Sequence, residues 1–369
     1  MAGILYLGLM SGTSMDGVDA LLVDFNQTPP ARCGFRHTPY PQELRQSLLA
    51  LTRSGPDELE RLGDADVAVA QIFASAALDL LGQEGLSAQD VRLIGSHGQT
   101  IRHRPERGFS IQIGDPNLIA ELTGCSVIAD FRRRDLAAGG QGAPLVPAFH
   151  AALWRSPESD RCIVNLGGIA NITWLAADSD KPVFGFDTGP ANTLMDRWME
   201  RHYQLPMDRN GQLARQGQIR ADLLAALLAH PYFQLQPPKS TGLENFHLDW
   251  VDQCCASCNQ PLDPKDVLRT LLELSCLSCA QAIKCCGRPN QLILCGGGSL
   301  NALMVERFAE IFPKANVATS WDFGLDPMWI EAMAFAWLAK AFEEHRPGNI
   351  CEVTGARGGR RLGGFYPAQ

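Results

Sequence analysis

The sequence predicts a mixed α/β protein built from two similar halves. Three observations carry that reading. A glycine-tipped strand pair opens near Ile4, and a second opens near Cys162. Each pair is followed by short apolar runs alternating with stretches of helical periodicity. The 369 residues are also enough for two domains of ordinary size. The halves are expected at 1–130 and 131–344, with the segment from about 345 to 369 packed back on the first.

In chain order, Ile4–Met10 and Val18–Phe25 read as strands joined by the polar turn Ser11 to Gly17. Leu59–Leu81 reads as a long helix, with Leu62, Val69, Ile72, Phe73, Ala76 and Leu80 recurring at three and four. Val91–Gly95 and Ser110–Ile113 are short strands. Asp115-Pro116 then opens a helix, with Asp as cap and Pro in the first turn. Val127–Ala129 is a strand, and Asp130 to Pro147 reads as a long Gly- and Arg-rich loop. The second half repeats the layout. Cys162–Leu166, Gly167-Gly168 and Asn171–Leu175 form its hairpin, and Val183–Phe186 is a strand ending at Asp187. Helices follow from Thr193, over Leu223–Leu228 and over Val267–Ile283. Leu292–Cys295 runs into Gly296-Gly297-Gly298 and a helix, and Asp326-Pro327 caps a last helix from Met328 to Phe342.

Composition narrows the function. With 46% hydrophobic and 20% charged residues the chain is an ordinary globular protein. A net charge of −8 gives it no general attraction for nucleic acid or an anionic membrane. Any anion must therefore be held locally. No unbroken apolar run approaches the roughly 20 residues of a membrane helix. Met1 to Met10 lacks the basic flank of an export signal, so a cytoplasmic location is expected. Twelve cysteines then read as reduced thiols. Cys255, Cys258, Cys276 and Cys279 have zinc-ribbon spacing. Cys276 and Cys279 also continue the helical pattern of Val267 to Leu274, and that favours small buried residues over ligands.

The strongest chemical signal is the segment Gly12, Thr13, Ser14, Met15, Asp16, Gly17, Val18, Asp19. Its glycines let backbone N–H groups converge, and its hydroxyls add donors, which together make a phosphate cradle. Asp16 and Asp19 suit such a place only with Mg²⁺ between them and the phosphates. Gly167, Gly168 and Asn171 repeat the pattern more weakly. Gly296, Gly297 and Gly298, with Asn301 beyond them, form a nucleotide-binding turn between strand and helix. Asp187 lies where open α/β sheets place ligands, and is the first candidate for a catalytic base. Glu331 shares a helical face with Phe335 and Leu338, so its carboxylate needs a partner or a ligand. His97 and Gln99 follow a strand and serve either a sugar or the loop backbone. Arg132 and Arg134 belong to a basic triplet beside a glycine-rich loop, where at least one arginine is expected to meet an anion.

Together these segments resemble the anhydro-N-acetylmuramic acid kinase family. The matching stretches run from Gly8 to Asp19, Ser96 to Thr100, Ala129 to Asp135, Gly139 to Pro144, Asn165 to Thr173, Phe186 to Asn192, Cys295 to Asn301 and Asp326 to Ala332. They span nearly the whole chain in family order. The cysteine-rich stretch Cys254–Cys286 is not part of the resemblance. The resemblance implies the two-lobed actin/hexokinase/Hsp70-like (ribonuclease H-like) fold closing on ATP, with Mg²⁺, and a homodimer. It implies that 1,6-anhydro-N-acetylmuramic acid is opened by water and phosphorylated on O6 in cell-wall recycling. By position, Gly12 to Asp19 would be the ATP phosphate loop and Asp187 the base. His97, Gln99, Glu331 and an arginine of 132–134 would be the sugar ligands. Three other readings compete: a kinase of the same fold acting on an ordinary hydroxyl, a nucleotide-switched binding protein, and a zinc protein.

Overall fold

A computed structural model describes residues 4–242, 245–258 and 260–368. The chain opens with strands β1 (Leu5–Met10), β2 (Gly17–Asp24) and β3 (Ala31–Pro39), then helices α1 (Gln42–Leu51) and α2 (Glu58–Gln83). Strands β4 (Val91–Ser96), β5 (Gln99–Arg104) and β6 (Phe109–Ile113) precede helix α3 (Pro116–Thr123). Next come β7 (Val127–Ala129), α4 (Phe131–Ala137) and α5 (Val146–Trp154). The middle of the chain holds β8 (Arg161–Leu166), β9 (Ile169–Leu175), β10 (Phe184–Pro190), α6 (Asn192–Tyr203), α7 (Ala221–Leu228), α8 (Leu248–Ala256) and α9 (Pro264–Cys286). The end holds β11 (Gln291–Cys295), α10 (Ala302–Ile311), β12 (Asn316–Thr319), α11 (Ile330–Glu343), α12 (Cys351–Thr354) and β13 (Gly364–Tyr366).

Two compact units result: Met1–Phe149 with Trp329–Gln369, and His150–Met328. The first carries a sheet in the order β13-β7-β4-β1-β2-β3. Strands β1, β2 and β3 form an antiparallel meander, while β4 and β7 add parallel to β1 and to each other. Strand β13 pairs antiparallel with β7 and brings the C-terminal segment onto this sheet. The second unit orders its sheet β10-β9-β8-β11-β12, again an antiparallel meander followed by two parallel strands. Setting β13 aside, the two layouts are the same, as the repeated hairpins predict.

Alternation along β1 decides what covers each face. Leu7 and Leu9 join Val69, Phe73, Ala76 and Leu80 of α2 in one buried cluster. Helix α2 is long and apolar enough to cross a membrane, although no unbroken apolar run announces it. About half of its most apolar stretch is buried, on the face turned to the sheet. Gly8 faces the other way. A Cβ there would lie 1.9 Å from the Ala332 carbonyl oxygen, and one on Gly95 would lie 2.0 Å from that of Phe335. Helix α11 therefore rests its backbone directly on β1 and β4.

Several expectations need correction. The stretch 130–147 is not one long loop, because it contains α4 and the start of α5. Phe131, Asp135 and Leu136 are buried, so α4 has an inner face that its three arginines hide in the sequence. The last long helix starts at Ile330 rather than Met328, and Asp326 instead accepts a hydrogen bond from the Met328 N–H at 2.9 Å. The boundaries expected at 130/131 and 344/345 fall at 149/150 and 328/329. The cause is α11 on β1 and β4, together with Asp135, whose Oδ1 accepts from Asn349 at 2.6 Å and Thr354 at 2.8 Å.

The seating of α11 yields a stability test. Gly8→Ala should lower the unfolding free energy by about 3 kcal/mol, since neither backbone can yield cheaply. Urea denaturation measures it, and a loss under about 1 kcal/mol would show that the helix moves aside freely.

Candidate functional site

In the first unit the turn between β1 and β2 presents Thr13, Ser14 and Asp16 to solvent. A Cβ on Gly12 would meet only the Ser14 hydroxyl, at 3.9 Å, so the space beside Gly12 is open to a ligand. Gly17 is required for another reason. Its Cβ would strike the Thr38 carbonyl at 2.4 Å, so this glycine admits β3. Met15 and Val18 bury their side chains in the core and can serve a ligand only through backbone. Ser14 donates to Asp16 at 2.9 Å. Asp19 is half-buried on β2, and its Oδ1 meets His37 Nδ1 at 2.7 Å. This contact raises the His37 pKa above the ordinary value, against an opposing effect of burial.

Gln99, fully buried, braces this turn from β5. It donates to the Gly12 carbonyl at 3.1 Å and the Thr100 carbonyl at 3.2 Å, and accepts from Ser11 Oγ at 2.7 Å. His97 lies beside it, its ring packed at a tilt of 45° against that of Phe335 with centroids 4.6 Å apart. Arg132 donates to His97 Nε2 from Nη2 at 2.9 Å and from Nε at 3.3 Å, and its Nη1 donates to the Gly142 carbonyl at 2.8 Å. An arginine can only donate, so Nε2 carries no proton. The proton sits on Nδ1, which faces the Ser11 carbonyl at 3.1 Å. Burial, then the Arg132 charge, push the His97 pKa down to about 3. Arg134 is exposed, while Arg133 pairs with Asp130 at 3.1 Å. Glu331 is half-buried in the first turn of α11.

In the second unit a polar row crosses the sheet. Asp187 of β10 stands opposite Asn171 of β9, which stands opposite Asn165 of β8, itself opposite Cys295 of β11. Residues directly opposite one another share a face, so the row forms one polar stripe. Strand β10 continues past Asp187 to Pro190 through an irregular step, so Asp187 lies mid-strand and not at a strand end. Its carboxylate Oδ2 accepts from the Thr241 N–H at 3.0 Å, its N–H donates to the Lys239 carbonyl at 3.3 Å, and its carbonyl accepts from Tyr232 Oη at 2.7 Å. The tip glycines of this hairpin are differently used from those of the first. The Gly167 carbonyl accepts from Asn192 N–H at 3.0 Å, and the Gly168 carbonyl from Ala191 N–H at 3.0 Å, so the start of α6 is spent on the tip. Gly296 has φ 74°, and a Cβ on it would lie 2.5 Å from Asn165 Oδ1. Asn301 caps α10, facing the Met304 N–H at 3.4 Å.

A family model for anhydro-N-acetylmuramic acid kinase matches residues 4–368. The chain belongs to that family. It is 47% identical to the anhydro-N-acetylmuramic acid kinase of Saccharophagus degradans, over 98% of both chains. It is 49% identical to that of Xanthomonas axonopodis pv. citri, over 99% of this chain and 98% of the relative. Among solved structures it resembles the activator of the 2-hydroxyisocaproyl-CoA dehydratase from Clostridium difficile with bound ADPNP. That likeness has a TM-score of 0.50 at 12% identity, covers 93% of this chain and 97% of the other, and speaks for the fold.

In this family member two groups of predicted residues come together: Gly12 with Gln99, His97 and Arg132, and Asp187 with Asn171. Lys239, Thr241 and Tyr232 escaped the sequence reading, although Lys239 to Gly242 is a polar run after two prolines. The cysteine spacing brings no metal cluster. Among the described residues no three His, Cys, Asp or Glu side chains are placed to hold an ion. Cys276 and Cys279 are buried in α9, and Cys279 contacts Thr188 Oγ1 at 3.1 Å.

The buried histidines predict a pH dependence. Burial pushes His97 and His150 down to about 3 and His103 to about 4, against about 6.5 when unfolded. Between those values the unfolded chain binds more protons, so stability is complete above pH 6.5 and falls as pH drops towards 3. His97→Gln should flatten this slope by up to about 1.4 kcal/mol per pH unit, read by urea denaturation from pH 6.5 to 4. An unchanged slope would mean that His97 is not held neutral.

Proposed function

We propose that this chain is an ATP-dependent anhydro-N-acetylmuramic acid kinase. It opens 1,6-anhydro-N-acetylmuramic acid with water and phosphorylates O6, giving N-acetylmuramic acid 6-phosphate and ADP, as cell-wall recycling requires. The names of its full-length relatives support the substrate. The observation that carries the chemistry is Asp187, a half-buried carboxylate with one oxygen held by the Thr241 N–H.

Asp187 takes a proton from the water that attacks C1. The C1–O6 bond breaks with its electrons on O6, O6 bonds the γ-phosphorus, and ADP leaves. An inverting glycosidase needs a second carboxyl group to protonate the departing oxygen. Here that oxygen takes a phosphoryl group instead, so one base suffices. The remaining task is alignment and charge stabilisation. The turn around Gly12 holds the phosphates through backbone, Thr13 and Ser14, and Gly296 to Gly298 hold the nucleoside end. Asp16 offers exposed oxygen donors beside Ser14, and Asp19 keeps one oxygen beyond its contact with His37. Mg²⁺ needs only one or two carboxylates, so these residues fit it, and when bound it neutralises phosphate charge.

Arg132 and Glu331 hold the sugar. Arg132 has the charge for its lactyl carboxylate. His97 and Gln99 have their polar atoms committed within the protein, so their part is to fix Arg132 and the Gly12 turn rather than to touch sugar. A homodimeric, cytoplasmic enzyme belongs to the same reading, and light scattering tests the dimer.

The test is mass spectrometry of a reaction with ATP, Mg²⁺ and the anhydro sugar in ¹⁸O-water. A product heavier by phosphate plus one labelled water is expected. Phosphate gained without water would favour a kinase for an ordinary hydroxyl. Asp187→Asn should keep nucleotide binding in calorimetry while turnover falls at least about 10³-fold. Near-normal turnover would remove Asp187 from this role.

A further inference from the structure

The segment around Asp187 contains a charge that the mechanism above leaves unused. Lysine is scarce here, with six among 32 basic residues. Lys340 pairs with Glu344, Lys265 donates to Gln216 at 2.7 Å, and Lys181, Lys284 and Lys314 are exposed. Lys239 differs from all of them. It is half-buried, its Nζ lies 4.7 Å from the centre of the Tyr232 ring and 5.8 Å from that of Phe186, and it donates to the Tyr232 carbonyl at 3.3 Å. Among the described residues it makes no ion pair. Burial lowers its pKa, while the charges of Asp187 and Cys285 oppose that change.

The placement of Lys239 follows from Asp187. The Lys239 carbonyl accepts from the Asp187 N–H, Tyr232 donates its hydroxyl to the Asp187 carbonyl, and the Lys239 ammonium returns to the Tyr232 carbonyl. These three hydrogen bonds close a ring through Asp187, Tyr232 and Lys239. The cation is thereby fixed beside the base with donors to spare. An ammonium has three N–H groups, and among the described residues one of them has an acceptor, the Tyr232 carbonyl. Taking a cation partly out of water is unfavourable, and Asp187 nearby offsets only part of that cost, so such a position is best completed by an anion.

We infer that Lys239 is a further catalytic residue, whose ammonium receives an anionic oxygen of the reactants beside Asp187. The inference rests on the reading of Asp187 as the base. Two reactants carry such oxygens: the phosphoryl group of the nucleotide and the carboxylate of the sugar. A mobile, compact cation suits either.

Two measurements on the full chain test it. In the first, Lys239→Met should lower kcat/KM by 10²- to 10³-fold with its melting temperature within about 3 °C of the parent, and Lys239→Arg should recover at least tenfold of that loss. In the second, wild-type protein is reductively methylated with formaldehyde and cyanoborohydride, and each lysine is followed by mass spectrometry. Methylation of Lys239 should slow at least fivefold with a non-hydrolysable ATP analogue or with the anhydro sugar, while Lys181, Lys284 and Lys314 are unaffected. Protection by the nucleotide alone identifies the phosphoryl group, and protection by the sugar alone identifies the carboxylate. No protection by either ligand, singly or together, overturns the inference, as does a Lys239→Met enzyme within threefold of the parent. If the wild-type chain does not convert the anhydro sugar, the proposed reaction fails, and protection by the nucleotide still decides for or against Lys239.

Discussion

The first unit is organised by the direct contact of one helix backbone with two strands. Gly8 and Gly95 leave no room for a Cβ against the carbonyls of Ala332 and Phe335, so α11 lies closer to β1 and β4 than side chains would permit. That closeness places the Phe335 ring against His97, at 4.6 Å, and against Phe131, at 5.6 Å. Phe131 begins the helix that carries Arg132, and His97 accepts from Arg132. Two glycines thus determine where Arg132, the cation fixed to His97, can stand. The same helix carries Glu331 one residue before Ala332, so its height above the sheet is set by Gly8 as well.

A second constraint works from below. Asp135 is fully buried, and its carboxylate accepts hydrogen bonds from the Gly142 N–H at 2.8 Å, from Asn349 and from Thr354. It joins α4 to the glycine-rich turn and joins both to the C-terminal segment. Gly142 in turn offers its carbonyl to Arg132. The guanidinium is therefore held from two sides, by a neutral histidine and by a carbonyl. Neither of these two partners carries a negative charge.

What could be read from the sequence was local. The turn from Ser11 to Gly17 announces itself because glycines, hydroxyls and acids crowd into one short stretch, and no distant residue is needed to interpret it. Helix α4 could not be read in the same way. Its inner face consists of Phe131 and Leu136 with a buried aspartate, and two partners of that aspartate, Asn349 and Thr354, lie more than 200 residues away. Asp187 stands out in the sequence as a candidate base but is expected there at a strand end, because Thr188-Gly189-Pro190 looks like a turn. The strand continues there because Gly189 adopts φ 145° beside Phe233, where a Cβ would lie 2.7 Å from the ring. Lys239 has only a weak local signal, the polar run after two prolines, since its position is defined by hydrogen bonds to Asp187 of β10 and to Tyr232.

The duplication explains why the chemistry is unequal. Both units begin with a glycine-tipped hairpin in the same sheet layout, and the sequence suggests two phosphate clamps. Helix α6 starts directly after β10, and its first N–H groups turn onto the carbonyls of Gly167 and Gly168. A helix start spent on its own hairpin has few donors left for a ligand. In the first unit the third strand, β3, is followed by α1 from Gln42, and the tip at Gly12 remains open. Under the proposed function the same topology supplies an anion cradle in one unit. In the other it frees the neighbouring strand to carry a carboxylate, and the polar row Asp187, Asn171 and Asn165 stands where a second cradle would have competed with a base for the same charge.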